Sequence, residues 1–84
     1  MSELKDYSLV LYNDDVNNFQ YIIACLIRFC KMEPIQAEQC AIIADNVGKC
    51  CIKLGSWSEL EDIQLTLKDM NIKVKLEINE SYLH

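Results

Sequence analysis

Asn13-Asp14-Asp15 is the one place in this sequence where acceptor side chains are dense enough to hold a small ligand. Asn17 and Asn18 follow in the same stretch. Such a loop can surround a compact cation or an ammonium group, which needs several acceptors when it leaves water. Asn and Asp also form turns and cap helices, so an architectural role is open to the same residues. A calcium loop fits poorly. With Asp15 as first ligand and Asn17 as third, Phe19 is fifth, Gln20 takes the place of the turn glycine, and no Glu closes the loop. A magnesium-dependent hydrolase using Asp14, Asp15 and Asp45 would lack an internal His, since His84 is the only one, and a nucleophile–base pair. On residue chemistry alone the loop therefore stays open between an architectural role and a binding site, while an enzyme or a metal site fits poorly: no catalytic residue, cofactor or metal is expected.

The elements that must position this loop are legible from periodicity. Ser8 to Tyr12 reads as a strand with Leu9 and Leu11 on one face. Asn13 to Asn18 is a loop, with Asn17 or Asn18 as helix cap. Phe19 to about Lys31 is a helix whose apolar stripe is Ile22, Ile23, Leu26, Phe29 and Cys30. Pro34 opens a second helix, which turns Ala37, Cys40, Ala41 and Ala44 inward and stops at Gly48. Lys49 to Leu54 is a strand with Cys50, Ile52 and Leu54 on one face. Ser58-Glu59-Leu60-Glu61 has the spacing of a capping box and starts a third helix carrying Leu60, Ile63, Leu67 and Met70 inward. Asn71 ends it. Ile72 to Ile78 alternates without error as the last strand, and 79–84 reads as a frayed tail.

The order is βααβαβ. One apolar face per strand predicts an α+β fold: a three-stranded antiparallel sheet covered on one side by three helices. The 84 residues are expected to form a single domain with a core of about 7–78 and short tails. An apolar fraction of 51% excludes a disordered chain. The net charge of −5, with lysines scattered along the sequence, argues against nucleic acid and for a cationic ligand or a protein partner. No apolar run approaches the roughly 20 residues of a membrane span. Residues 1–6 lack the form of a signal peptide, which with five cysteines predicts reduced thiols and a cytoplasmic location. The cysteine spacing matches no metal motif and reads as core packing.

The chain as a whole resembles the ClpS family, the small adaptor proteins of the bacterial Clp protease. The resemblance runs through Tyr7, Leu9-Val10-Leu11-Tyr12-Asn13-Asp14-Asp15, Phe19, Ile22-Ile23, Leu26, Phe29, Ala37-Glu38-Gln39-Cys40 and Gly48-Lys49. It covers about Tyr7 to Ile78 and implies the same βααβαβ fold. It implies an adaptor that binds N-degron proteins, whose first residue is a large apolar one (Leu, Phe, Tyr or Trp), and delivers them to the N-terminal domain of a Clp unfoldase. Asn13 would accept from the substrate α-amino group, and Asp14 and Asp15 would hold its charge directly or through water. Asn17 would lie near the peptide backbone, Phe19 at the pocket edge, and Ile22, Ala41 and Ala44 in the pocket wall. The family has a His at the end of the second helix where this chain has Asp45. Of the family's docking surface on the third helix, Glu61 is matched, Ser58 replaces a Glu and Ile63 a Lys, so the docking face is expected around Glu59, Glu61 and Lys53. Six residues precede Tyr7, where family members often carry a longer extension. The alternative is a degenerate ClpS-like interaction domain whose pocket is altered or lost.

Overall fold

Leu9, Val10 and Leu11 are all buried, which a strand exposed on one face would not allow. The reason is position. In the computed structural model, which describes residues 6–79, β1 (Tyr7–Tyr12) is the central strand of three. It pairs antiparallel with both β2 (Lys49–Gly55) and β3 (Val74–Ile78). Between them run α1 (Phe19–Cys30), α2 (Pro34–Val47) and α3 (Trp57–Asp69), so the order is βααβαβ, as expected.

Leu9 and Leu11 face the helices and meet Leu26, Leu60 and Leu67 in the core, each fully buried. Burying a leucine contributes roughly 1.5–3 kcal/mol, so these five side chains hold the layers together. On the other face Val10 is buried in a hollow that Val47, the last residue of α2, also lines. Lys49 reaches Glu77 at 3.8 Å, and both side chains border the shallow cavity in which Val10 lies. The apolar stem of a lysine can cover such a surface while its charge stays wet.

Helix ends follow local chemistry. The Asn18 side chain accepts from Tyr21 N–H at 3.1 Å and caps α1. Lys31, at φ 56°, ends it in the left-handed conformation. Pro34 opens α2 and Gly48, at φ 109°, closes it. The start of α3 differs from expectation. Ser56, not Ser58, is the cap, its hydroxyl accepting from Glu59 N–H at 3.3 Å. Trp57 thereby enters the first turn and packs edge-on against Tyr7, ring centroids 5.3 Å apart, over the end of the sheet.

Leu54 is a second correction. The register slips between Leu9 and Val10, leaving Ile52 as the extra residue of a β-bulge. Beyond the bulge Leu54 pairs with Ser8 on the open face and is 40% exposed. Asn79 is a third: its N–H donates to Asp6 O at 2.7 Å, so the chain is still tied there. The rest of the expected C-terminal tail, and most of the N-terminal one, lie outside the described residues.

The thiols pack as small apolar groups. Cys25 and Cys40 are buried, Cys50 and Cys30 half-buried, and Cys51 points outward. Burial pushes the Cys30 thiol up to about 11 and raises Cys40 as well, so both stay protonated at neutral pH. No helix among the described residues is long and apolar enough to cross a membrane.

Candidate functional site

Two backbone bonds fix where β1 becomes a loop. Tyr12 N–H donates to Lys73 O at 2.9 Å, and Asn13 N–H donates to Gly48 O at 3.0 Å. The second bond depends on how α2 ends. Gly48 N–H turns back to Ala44 O at 3.0 Å in a left-handed cap, and its carbonyl is left facing Asn13. The acceptor-rich loop is thus pinned beside the last turn of α2.

The loop then folds onto Asp14. One carboxylate oxygen accepts from Val16 N–H at 2.8 Å and from Asn17 N–H at 3.1 Å. The other accepts from the Asn17 amide, whose second hydrogen goes to Asn71 O at 2.6 Å. One turn on, the Tyr21 hydroxyl donates to Met70 O at 2.6 Å. Asn17 and Tyr21 therefore fasten the loop and the start of α1 to the end of α3. Burial alone would raise the Asp14 carboxyl. The bonds from Asn17 and Val16, helped by the charge of Lys73, outweigh it and hold the group below its ordinary value. Asp14 is a fixed negative charge at neutral pH. A carboxylate has about four acceptor positions, and three are used here, so one remains for a ligand.

A cavity of about 150 Å³ opens between this loop, α1 and α2. Asn13, Asp14, Asn17 and Asp45 form its polar side. Leu11, Tyr12, Phe19, Ile22, Ala41 and Ala44 form its apolar side. Ala41 and Ala44 are buried, and their small side chains leave the space open. A cavity of about this size, when lined by apolar groups, accepts a benzene-sized ring. Asp45 is exposed at the rim, on a helix end with no basic residue in its last turn. Its charge adds to the negative end of the α2 dipole. The site is therefore a small apolar slot with a negative mouth.

Eight of the nine residues singled out for ligand binding in the sequence line this one cavity: Asn13, Asp14, Asn17, Phe19, Ile22, Ala41, Ala44 and Asp45. Asp15 does not; it is exposed outside the lining. Leu11 and Tyr12 belong to the wall and were not anticipated, although their place at the end of β1 beside Asn13 is the signal that would have found them. Glu61 and Lys53 are exposed. The Glu59 carboxylate is folded back over Gly55, where a Cβ would collide with it. Among the described residues no three Asp, Glu, His or Cys side chains are placed to hold a metal ion.

Comparison with known proteins agrees with this architecture. A solved structure of Agrobacterium tumefaciens ClpS2 bound to L-phenylalaninamide matches with a TM-score of 0.85 at 16% identity, over 89% of this chain and 98% of that one. At that identity the likeness speaks for the fold. No curated protein matches the sequence. The family model described as ATP-dependent Clp protease adaptor protein ClpS matches residues 2–77, nearly the whole sequence. The chain belongs to the ClpS family of Clp protease adaptors.

Proposed function

We propose that this adaptor binds proteins through a free N-terminal residue with a large apolar side chain and delivers them to a Clp unfoldase, acting as a single domain without chemistry of its own. One observation carries the reading. Asn13, Asp14 and Asp45 border the same small cavity as Phe19, Ile22, Ala41 and Ala44. An α-ammonium has a full charge and three donors, and the polar side of the cavity offers acceptors and two carboxylates for it. The apolar side suits an aromatic or leucine side chain. Charge-assisted bonds of this kind contribute about 1.5–3 kcal/mol each, which a blocked N-terminus would forfeit. L-phenylalaninamide, the ligand named for Agrobacterium ClpS2, has the same parts: a free amine, a benzyl side chain and an amide in place of the next peptide bond.

For delivery, the exposed face of α3 around Glu61 is the proposed contact with the unfoldase N-terminal domain, with exposed Lys53 of β2 as a further proposed contact. Glu59 is turned toward Gly55 and contributes less than Glu61. The experiment is calorimetric titration with peptides that begin with Phe, Leu, Tyr or Trp, each with a free and an acetylated N-terminus. Binding of the free peptides with a loss of at least tenfold on acetylation is expected. Equal affinity for free and acetylated peptides, or no binding at millimolar concentration, would identify a degenerate relative whose pocket is no longer used.

A further inference from the structure

The lysines that look scattered in the sequence are not scattered in the fold. Lys68 lies in the last turn of α3, Lys73 leads into β3, and Lys75 lies within it. A cleft of about 260 Å³ beside the ammonium pocket is lined by Lys68 and Lys73 and shares Asp14 and Asn17 with the pocket. The next hollow, about 310 Å³, takes in all three lysines and Tyr12. Tyr12 is also a wall of the pocket. None of the three lysines has a carboxylate within 4.0 Å among the described residues, where the single ion pair is Lys49–Glu77. In a chain with net charge −5, Lys68 and Lys73 border this cleft without an ion pair, and Lys75 lies over the Tyr12 ring, 5.6 Å from its centroid, in the next hollow.

We propose that this lysine-lined cleft reads the second residue of the bound peptide and favours an acidic side chain there. The inference rests on the reading of the neighbouring pocket as an N-terminal residue site. In an extended chain, successive side chains point to opposite sides. The Asp14–Asn17 clamp is the wall between the pocket and the cleft. A peptide whose ammonium sits at Asp14 and whose first side chain enters the pocket therefore turns its second side chain toward Lys68 and Lys73. One residue of extended chain spans about 3.3–3.6 Å, so the second side chain starts next to the wall rather than beyond it. The clamp itself is held by the bond from Asn17 to Asn71 O, so the wall is fixed before the peptide arrives. The pair of surfaces is bipolar, and its complement is a peptide with a positive first residue and a negative second one. The mean field of the protein, at −5, opposes acidic peptides, so the preference is local and short-ranged.

The test compares three peptides that differ only at the second residue: Phe-Glu, Phe-Ala and Phe-Lys followed by one common uncharged sequence. The Glu peptide is expected to bind about twofold to fivefold more tightly than the Ala peptide, and the Lys peptide more weakly than either. The Glu-to-Ala ratio should shrink as salt is raised from about 50 mM to 500 mM. The double variant Lys68→Ala/Lys73→Ala should bring that ratio to about one, since any effect of losing the Lys73 charge beside Asp14 falls on all three peptides alike. Equal binding of all three peptides, or a ratio that survives the double variant, overturns this inference alone. Failure of all three to bind overturns the pocket reading and this inference with it.

Discussion

The Asp14 loop and the last turn of α2 flank the same cavity, and each brings one carboxylate to it. They are held in opposite ways. Asp14 accepts three hydrogen bonds and is tied through Asn17 to the end of α3. Asp45 is exposed, on a turn without a basic neighbour. One wall is set in place before a ligand arrives, and the other acts mainly through its charge. Geometry and field are thus divided between two elements, and the division can be tested by damaging each in turn.

The largest effect is expected from Asp14→Ala. It leaves Val16 N–H, Asn17 N–H and the Asn17 amide without their acceptor, and it removes a charge from the pocket mouth. Loss of a cap-like acceptor destabilises by about 0.5–2 kcal/mol. Loss of a charge-assisted bond to the ligand amounts to roughly 1.5–3 kcal/mol, about tenfold to 150-fold in affinity. Both a lowered thermal midpoint and the affinity loss should appear. A variant that loses affinity at unchanged stability would mean that Asp14 touches the ligand without organising the loop.

Next in size is Ala44→Leu, which attacks the apolar side and spares both carboxylates. Ala44 is buried in the wall, and three added carbons would fill much of a cavity of about 150 Å³. Affinity for a Phe peptide should fall by at least about tenfold, with destabilisation of roughly 1–3 kcal/mol from overpacking. A Phe peptide that binds the folded variant as well as the parent would place the side chain elsewhere.

These two residues show what the sequence could and could not convey. The strand, the loop and the Asn18 cap were legible because each is written in local chemistry. So were Pro34 and Gly48, whereas the convergence of β1, α1 and α2 on one pocket was implied only by the family resemblance. The Asp14 clamp was not legible, because its second anchor, Asn71, is 54 residues from Asn17 in sequence. The lysine-lined cleft is hidden in the same way, since only tertiary structure brings Lys68 and Lys73 to Asp14. Leu54 lies on the face opposite to the one alternation predicts, because the bulge at Ile52 breaks the two-residue period. Ser56 and Ser58 both stand three residues before a Glu, and the local pattern cannot choose between them. The packing of Trp57 on Tyr7 favours the earlier start.

A smaller effect separates the two walls by pH. The Asp14 carboxyl lies below its ordinary value of 3.8 in the folded protein, despite burial that acts the other way. Its contribution to stability is therefore complete above the unfolded value and is lost as pH falls through the lower folded one. Parent and Asp14→Asn should differ by a constant amount above about pH 5. The difference should narrow below pH 3.8, as measured by denaturant unfolding. A difference that is flat across this range would mean that the clamp does not depend on ionisation.

The smallest effect, and the one that separates geometry from field most cleanly, is expected for Asp45→Asn. The substitution keeps shape and one acceptor oxygen, removes the charge, and turns the second oxygen into an amide donor. At the C-terminal end of α2 a negative side chain opposes the helix dipole, at about 0.3–1 kcal/mol. No basic residue in the last turn offsets it. The amide should therefore make the free protein slightly more stable. For an arriving ammonium the same charge is favourable, but it is exposed and screened, so its loss should weaken binding by only about twofold to fivefold. The two signs are opposite, which a general structural disturbance cannot produce. The binding loss should also fade as salt rises from about 50 mM to 500 mM, whereas the loss in Asp14→Ala should largely persist because hydrogen bonds and loop order are at stake there. An affinity loss for Asp45→Asn as large and as salt-resistant as that of Asp14→Ala would make Asp45 a direct ligand of the ammonium and erase the division between the two walls. An unchanged affinity at low salt would make the Asp14 loop the sole source of selectivity for a charged N-terminus.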